Sequence, residues 1–287
     1  MTSRPAGASV TPRTTTRREL GRLVVLLLPA AIFFAAFFLL PMARLVLIGG
    51  NGRLGWAAYG AIVTDGNYLR SLLSTLAVAA ATTATSLVVS GIAGIFLQRH
   101  RFPGNAALVA LLTLPLAFPG VVIGFMVIML AGRQGVIGDL THALIGQRLV
   151  FAYSMVGLFV GYVYFSIPRV ILTIMAAVEK LDPHLEEAAR SLGASPWQVV
   201  RDVIIPGLKP AFLASGALCF ATAVGAFGTA FTLATRINVL PMTIYTEFTM
   251  SANIAMAAAL SFVLGGITWA VLATARTAAG STVAAAG

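Results

Sequence analysis

The chain has 287 residues, of which 59% are hydrophobic and only 10% charged, with a mean hydropathy of +0.93. A soluble domain of this length cannot cover so much apolar surface, so the composition excludes one. The net charge of +10 does not mark a nucleic-acid binder, because the basic residues mostly flank apolar runs, where they set orientation across a bilayer.

Residues 1–22 are rich in Ser, Thr, Pro and Arg, with Glu19 the one acid, and read as a disordered cytoplasmic tail. A mitochondrial targeting peptide shares that composition, and this end alone does not separate the two. The apolar run from Leu23 to Ile48 is longer than the core of a secretory signal, and only Arg44 interrupts it. It is the first expected span. Residues 49–69 follow as an outside loop, with Trp56 and Tyr59 suited to the interface. A second span, rich in Ala, Thr and Ser, covers about 71–97, and the basic turn Gln98–Gly104 leads into a third at about 106–131.

This third span contains Leu114-Pro115-Leu116-Ala117-Phe118-Pro119-Gly120. Each proline removes a backbone donor and clashes with the preceding turn, so the helix must kink or break there. Such breaks are tolerated where the freed carbonyls face protein or a wet cavity. A packing kink and a pore lining are both open readings of Pro115 and Pro119. Residues 132–149 form another outside loop. A fourth span begins near Val150, reaches Pro168, and continues as an amphipathic stalk to Val178.

A polar island follows at 179–209. Five of the nine acidic residues lie between Glu179 and Asp202. Asp182 can cap a helix that Pro183 opens. Glu186 and Arg190 stand one turn apart and can pair, and Gly193 ends this first helix. Ser195 starts a second, with Pro196 in its first turn and Gln198 completing a capping box. Trp197, Val200 and Ile204 share a face, and Pro206 is expected to stop the helix. Ala188 and Ala189 leave a small-residue patch open to close packing. Taken alone, the stretch also reads as an amphipathic connector packed on its own protein.

The fifth span, about 211–235, is crowded with small residues, which allow close helix contact. Residues 236–248 loop outside, the sixth span covers about 250–275, and 277–287 form a short tail. Continuous apolar runs of this length mean helices rather than a barrel. The expected fold class is therefore an all-α integral membrane protein of six transmembrane helices, with a cytoplasmic two-helix loop between the fourth and fifth. Lys and Arg in the N-terminal tail, the basic turn, the island and the C-terminal end outnumber those in the opposite loops. This bias puts both termini and the island in the cytoplasm.

The expected spans hold no Asp, Glu, Lys or Arg at mid-depth, and His100, His142 and His184 fall in loops. Ion-driven carriers usually need such groups within the membrane. No phosphate-cradling Gly-x-x-x-x-Gly-Lys-Ser/Thr run is present, nor any HExxH, Ser/His/Asp or Cys/His set. The chain is thus expected to be no enzyme, with no catalytic residue, metal site or cofactor of its own, and its energy must come from a partner. Sodium sites built from carbonyls and hydroxyls need no charged side chain, which keeps a stand-alone secondary carrier or channel as the alternative. Cys219 is the single cysteine, so no intrachain disulfide can form.

The island resembles the EAA loop of type I (MetI-like) ABC-importer permeases: Glu-Ala-Ala, three residues, Gly, nine residues, then Ile-x-Leu-Pro. Glu187, Ala188, Ala189 and Gly193 match, and Pro206 falls at the expected distance; Val203 and Ile205 stand for the usual Ile and Leu. The resemblance implies a single permease domain at 23–276 in a bacterial cytoplasmic membrane. It implies a coupling loop of Glu186, Glu187, Ala188, Ala189, Arg190, Gly193, Ala194 and Pro206 that seats in an ATPase subunit, which binds the ATP. It further implies a second permease subunit, an extracytoplasmic solute-binding protein, and no nucleic acid. The start, with Phe33-Phe34 and Leu39-Leu40-Pro41, is similar to the first of two unlike permeases, which favours a heterodimer over a homodimer. The proline pair resembles the third-span region of the polyamine, sulfate and molybdate branch, and the segment Val239–Tyr245 the equivalent stretch of polyamine and 2-aminoethylphosphonate permeases, which implies a small polar organic solute such as a polyamine or an aminoalkylphosphonate. Expected groups along the substrate path are Pro115, Pro119, Tyr162, Tyr164, Ser166, Thr222, Thr229 and Glu247. Each has a plainer reading as well: a kink, a hydroxyl bonded to nearby backbone or, for Glu247, a solvated interfacial acid.

Overall fold

The computed structural model describes residues 17–100, 102–233 and 237–279. The tail before residue 17, Arg101 of the basic turn, the end of the fifth span at 234–235, Arg236 and residues 280–287 lie outside them. The described residues form helices joined by turns, with no strand among them. Six helical segments are long and apolar enough to cross a membrane: Val25–Gly50, Gly66–Arg99, Gly120–Ile145, Met155–Glu179, Pro196–Val224 and Ile254–Ala278.

The chain divides into two units, residues 1–47 and 48–287. In the first, helix α1 (Arg17–Phe34) passes through one π-helical turn (Ala35–Leu39) into α2 (Leu40–Gly50). Residues 17–22, expected in the tail, are thus already helical. Every side chain from Val25 to Pro41 is exposed, including the stacked pairs Phe33–Phe37 and Phe34–Phe38. A surface this apolar is at home only against lipid or another chain.

The second unit begins at the end of α2 and continues with α3 (Ala57–Thr64) and the long α4 (Gly66–Arg99). Asp65 caps α4 by accepting the Asn67 N–H at 2.8 Å. The expected third span is not one kinked helix. It is α5 (Asn105–Thr113) with a 3₁₀ turn (Leu114–Ala117), then α6 (Gly120–Ala131). The break falls at Phe118, whose backbone is extended (φ −101°, ψ 134°), as the residue before a proline prefers. Three stretches expected as loops carry short helices: α3, α7 (Val136–Ile145) and α13 (Leu240–Thr249). Each is short enough that neighbours, rather than intrinsic propensity, decide whether it forms. Helix α8 (Met155–Glu179) starts five residues later than expected, where Ser154 accepts the Gly157 N–H. Helix α14 (Ile254–Ala279) starts after Ala252, which has a positive φ of 49°.

The largest departure lies after the polar island. Helices α9 (Pro183–Ser191) and α10 (Pro196–Val199) form as expected, but Pro206 does not stop the second. A π-helical turn (Val200–Ile204) carries α10 directly into α11 (Ile205–Val224). The Ile205 N–H reaches back five residues to the Val200 carbonyl. The extra residue in this turn carries the proline ring past the carbonyl it would strike in an α-helix. The turn before Pro41 has the same register, with the Leu40 N–H on the Ala35 carbonyl. Helix α11 ends at Gly225, and α12 (Phe227–Leu233) follows.

The long α4 packs on α8 and α11 along a stripe of small residues. A Cβ on Gly94 would stand 3.1 Å from Ile174, and one on Gly91 3.0 Å from the Phe212 ring. The Ser90 hydroxyl bridges to the Ile167 carbonyl at 3.2 Å. Thr82 and Ser86 lie on the same face, fully buried, and their hydroxyls have no partner among the described residues. A buried hydroxyl left unpaired is costly, so an apolar isostere relieves it. Thr82→Val is expected to leave the melting temperature of the purified complex unchanged or to raise it, a gain of up to about 1 kcal/mol; a clear fall in a thermal melt contradicts this.

Candidate functional site

The polar island is built by its caps. The Asp182 carboxylate accepts the His184 N–H at 2.9 Å, and Pro183 fills the first helical position. Gly193 closes α9 with φ +85°, a conformation that costs a side-chain-bearing residue strain. At α10 the capping box is complete: the Ser195 N–H donates to Gln198 Oε1 at 2.7 Å, and the Gln198 N–H to Ser195 Oγ at 3.4 Å.

These two helices sort their residues to opposite sides. Ala189 and Ala194 pack on an apolar cluster of Val199, Ile204 and Leu208. Glu186 also turns inward and is buried. Arg99, the last residue of α4, donates to its Oε1, and Arg190 stands 3.7 Å from its Oε2. Glu187, Ala188, Gly193 and Pro206 are exposed. So are the large apolar residues Leu185, Leu192 and Trp197, the last two at 89% and 68%. The loop thus carries large apolar side chains on its exposed side and a buried acid on its inner one. An apolar groove of about 1370 Å³ opens beside it, lined by Ile92, Phe96 and Phe212 together with Glu187 and Trp197. Arg99 was not among the residues expected from sequence. Its partner lies 87 positions away, and no local pattern signals such a pair.

A second set of residues gathers where two helices are interrupted. The Thr229 hydroxyl donates to the Gly120 carbonyl at 2.9 Å, just after the break at Pro119. The Tyr162 hydroxyl donates to the Ala226 carbonyl at 2.6 Å, between α11 and α12. Glycines make the approach close: a Cβ on Gly161 would meet Thr229 at 2.9 Å, and one on Gly124 would meet Thr232 at 2.6 Å. Tyr162 and Thr229, both buried, thus share one knot beside Gly120, while Pro119 just before it is exposed. Tyr162→Phe would remove the bond from this buried hydroxyl to Ala226, whose half-buried carbonyl keeps its place at the start of α12. It is expected to cost about 0.5–1.5 kcal/mol, read as a lower melting temperature of the purified complex; an unchanged melt contradicts it.

The other expected path residues are placed differently. Pro115 and Ser166 are buried, and Tyr164 is exposed. The Thr222 hydroxyl turns back to Leu218 and Cys219 of its own helix, both at 2.9 Å. Glu247 sits in a separate cleft of about 480 Å³ with Asp65, Arg70 and Thr243, and accepts the Tyr68 hydroxyl at 2.9 Å.

The chain is similar to several known proteins. The family model described as "Binding-protein-dependent transport system inner membrane component" matches residues 88–278. The sulfate transport system permease protein CysT of Escherichia coli (strain K12) is 32% identical over 212 residues, covering 74% of this chain and 75% of that one. PhnU of Salmonella typhi, a protein named for 2-aminoethylphosphonate transport, is 29% identical over 248 residues, covering 84% and 86%. In fold, the chain is similar to one from the crystal structure of a bacterial alginate ABC transporter with its periplasmic protein. That match has a TM-score of 0.76 and 16% identity, over 91% of this chain and 94% of the other.

Proposed function

This chain belongs to the family of inner-membrane components of binding-protein-dependent transport systems, and on that premise we propose that an ATPase drives it through residues 182–206. It is a permease subunit of an ABC importer, a multi-pass protein of the inner membrane whose ATP is hydrolysed by a separate subunit. One observation carries the coupling reading: a firmly capped two-helix loop turns Glu187, Ala188, Leu192 and Trp197 away from the chain's own core. Glu187, Ala188, Gly193 and Trp197 meet the ATPase; Glu186, Ala189, Arg190, Ala194 and Pro206 shape the loop that presents them. This surface lies in the cytoplasm, with both termini. The Arg99–Glu186 pair supports the placement, since it puts the basic turn and the island at one end of the molecule. A second permease completes the pore, and a binding protein delivers solute on the opposite side.

The solute we propose is small and carries a tetrahedral oxyanion, as the sulfate and aminoethylphosphonate of the relatives' names do. Its path passes the exposed Pro119 at the start of α6, beside the buried knot of Tyr162 and Thr229, where a helix N-terminus favours negative charge. A polyamine is less suited: the acid that would attract it, Glu247, is already engaged by Tyr68 and neighbours Arg70. The test is uptake into proteoliposomes holding both permeases and the ATPase, with the binding protein supplied, using labelled sulfate, 2-aminoethylphosphonate and spermidine. ATP-dependent uptake of an oxyanion is expected. Uptake by this chain alone without ATP would make it a self-sufficient carrier and sink the proposal.

A further inference from the structure

We propose that Arg99 and Glu186 form a clasp that ties the end of α4 to the coupling loop, so that displacement of the loop reaches the membrane through α4 as well as through α11. This rests on the reading of residues 182–206 as the ATPase-driven surface, and assigns Glu186 a part distinct from that of Glu187.

Among the island's acids Glu186 alone is buried; Glu179, Asp182, Glu187 and Asp202 are exposed. A buried carboxylate needs compensation, and both its oxygens find a cation, Arg99 on one and Arg190 on the other. Arg190 is itself on α9, so its pairing with Glu186 stays within the loop. Arg99 is on another helix, and its position is fixed. The Asn105 side chain donates to the Leu97 and His100 carbonyls at 2.9 and 2.8 Å, pinning the turn after α4. The His100 ring stacks on Phe96 with centroids 4.5 Å apart. Glu186 is the one carboxylate paired with Arg99 among the described residues, and the Arg99 Nε–H is buried without a partner. Behind Arg99, α4 runs back along α8 and α11 through the contacts of Ser90, Gly91 and Gly94. A pull at Arg99 is therefore delivered to the interface these helices share. Glu186 and Arg99 are positioning residues: neither needs to touch the ATPase or the solute.

The experiment compares Arg99→Gln, Glu186→Gln, the double variant and the conservative Arg99→Lys in the complete transporter in proteoliposomes, reading ATP hydrolysed per solute imported. Each single loss of charge is expected to lower solute imported per ATP about ten-fold, with hydrolysis largely kept. Arg99→Lys is expected to recover most of it. The double variant is expected to be no worse than either single, because both remove one interaction. Multiplied effects in the double, an unchanged ratio in the singles, or failure of both singles to assemble without rescue in the double would each overturn the clasp. Glu187→Lys, run alongside, separates the two ideas. If it uncouples while the clasp variants behave normally, only the clasp is wrong; if it too is normal, the coupling surface itself is misplaced.

Discussion

Uptake by a transporter carrying Glu187→Lys is expected to fall thirty-fold or more, while the protein still inserts and its helices still pack. The asymmetry follows from where Glu187 stands. Its side chain is 70% exposed, and its one side-chain partner among the described residues, His184 at 3.4 Å, is just as open. Exposed pairs of this kind contribute little to folding, and surface substitutions usually stay within about 0.5 kcal/mol. A reversed charge at an interface costs more, about 2 kcal/mol or above. Gly193→Val is expected to act in the same direction by another route. No atom lies within 4 Å of its Cβ position, but a φ of +85° disfavours any L residue, by about 1–2 kcal/mol, and more for a β-branched one. The end of α9 would then loosen and present Leu192 and Trp197 poorly. Measuring uptake and ATP hydrolysis in the same vesicles checks both variants; normal uptake in both removes residues 182–206 from the drive.

Gly157→Ala is expected to be the most damaging single methyl in the fold. A Cβ there would stand 2.2 Å from the Ala152 carbonyl oxygen and 2.6 Å from that of Phe151. These are backbone atoms, and they cannot swing aside as the end of a side chain does. The Phe151 and Ala152 N–H groups are both fastened to the Ala131 carbonyl at 3.1 Å, so yielding would tear the start of α8 from the end of α6. A loss of about 3 kcal/mol or more is expected, seen as failure to accumulate in the membrane. Gly266→Ala is the control: open space surrounds its Cβ position, and a helix interior prefers alanine by about 1 kcal/mol. Equal accumulation of the two variants would contradict the packing of α8 on the segment before it.

The parts of this molecule that the sequence announces are those governed by chemistry within a few residues. The caps at Asp182 and Ser195, the stop at Gly193 and the Glu186–Arg190 spacing are all local, and all are formed. The apolar runs are equally plain, because a bilayer demands about 20 such residues in a row. What escaped notice depends on distant partners. Thr229 meets Gly120 across 109 positions, and the Tyr162 hydroxyl meets Ala226 across 64. Pro206 misled for a different reason: the rule that proline ends a helix assumes α-helical spacing, and one π turn removes the clash on which the rule rests. The inward turn of Glu186 had no signal at all, since Glu187 beside it has the same chemistry and opposite surroundings.

That uninterrupted passage through Pro206 has a mechanical consequence. Pro196–Val224 is one rod of 29 residues, about 43 Å long at 1.5 Å per residue. Pivoting by about 10° about its centre would sweep each end roughly 4 Å, comparable with the rise of a single helical turn. Compliance would gather where its hydrogen-bond ladder is irregular, at the wide turn Val200–Ile204 and at Pro210 within α11, while the rest would transmit torque with little loss. Gearing between a nucleotide-driven stroke outside the bilayer and the bore within it would then be set by the stiffness of those joints.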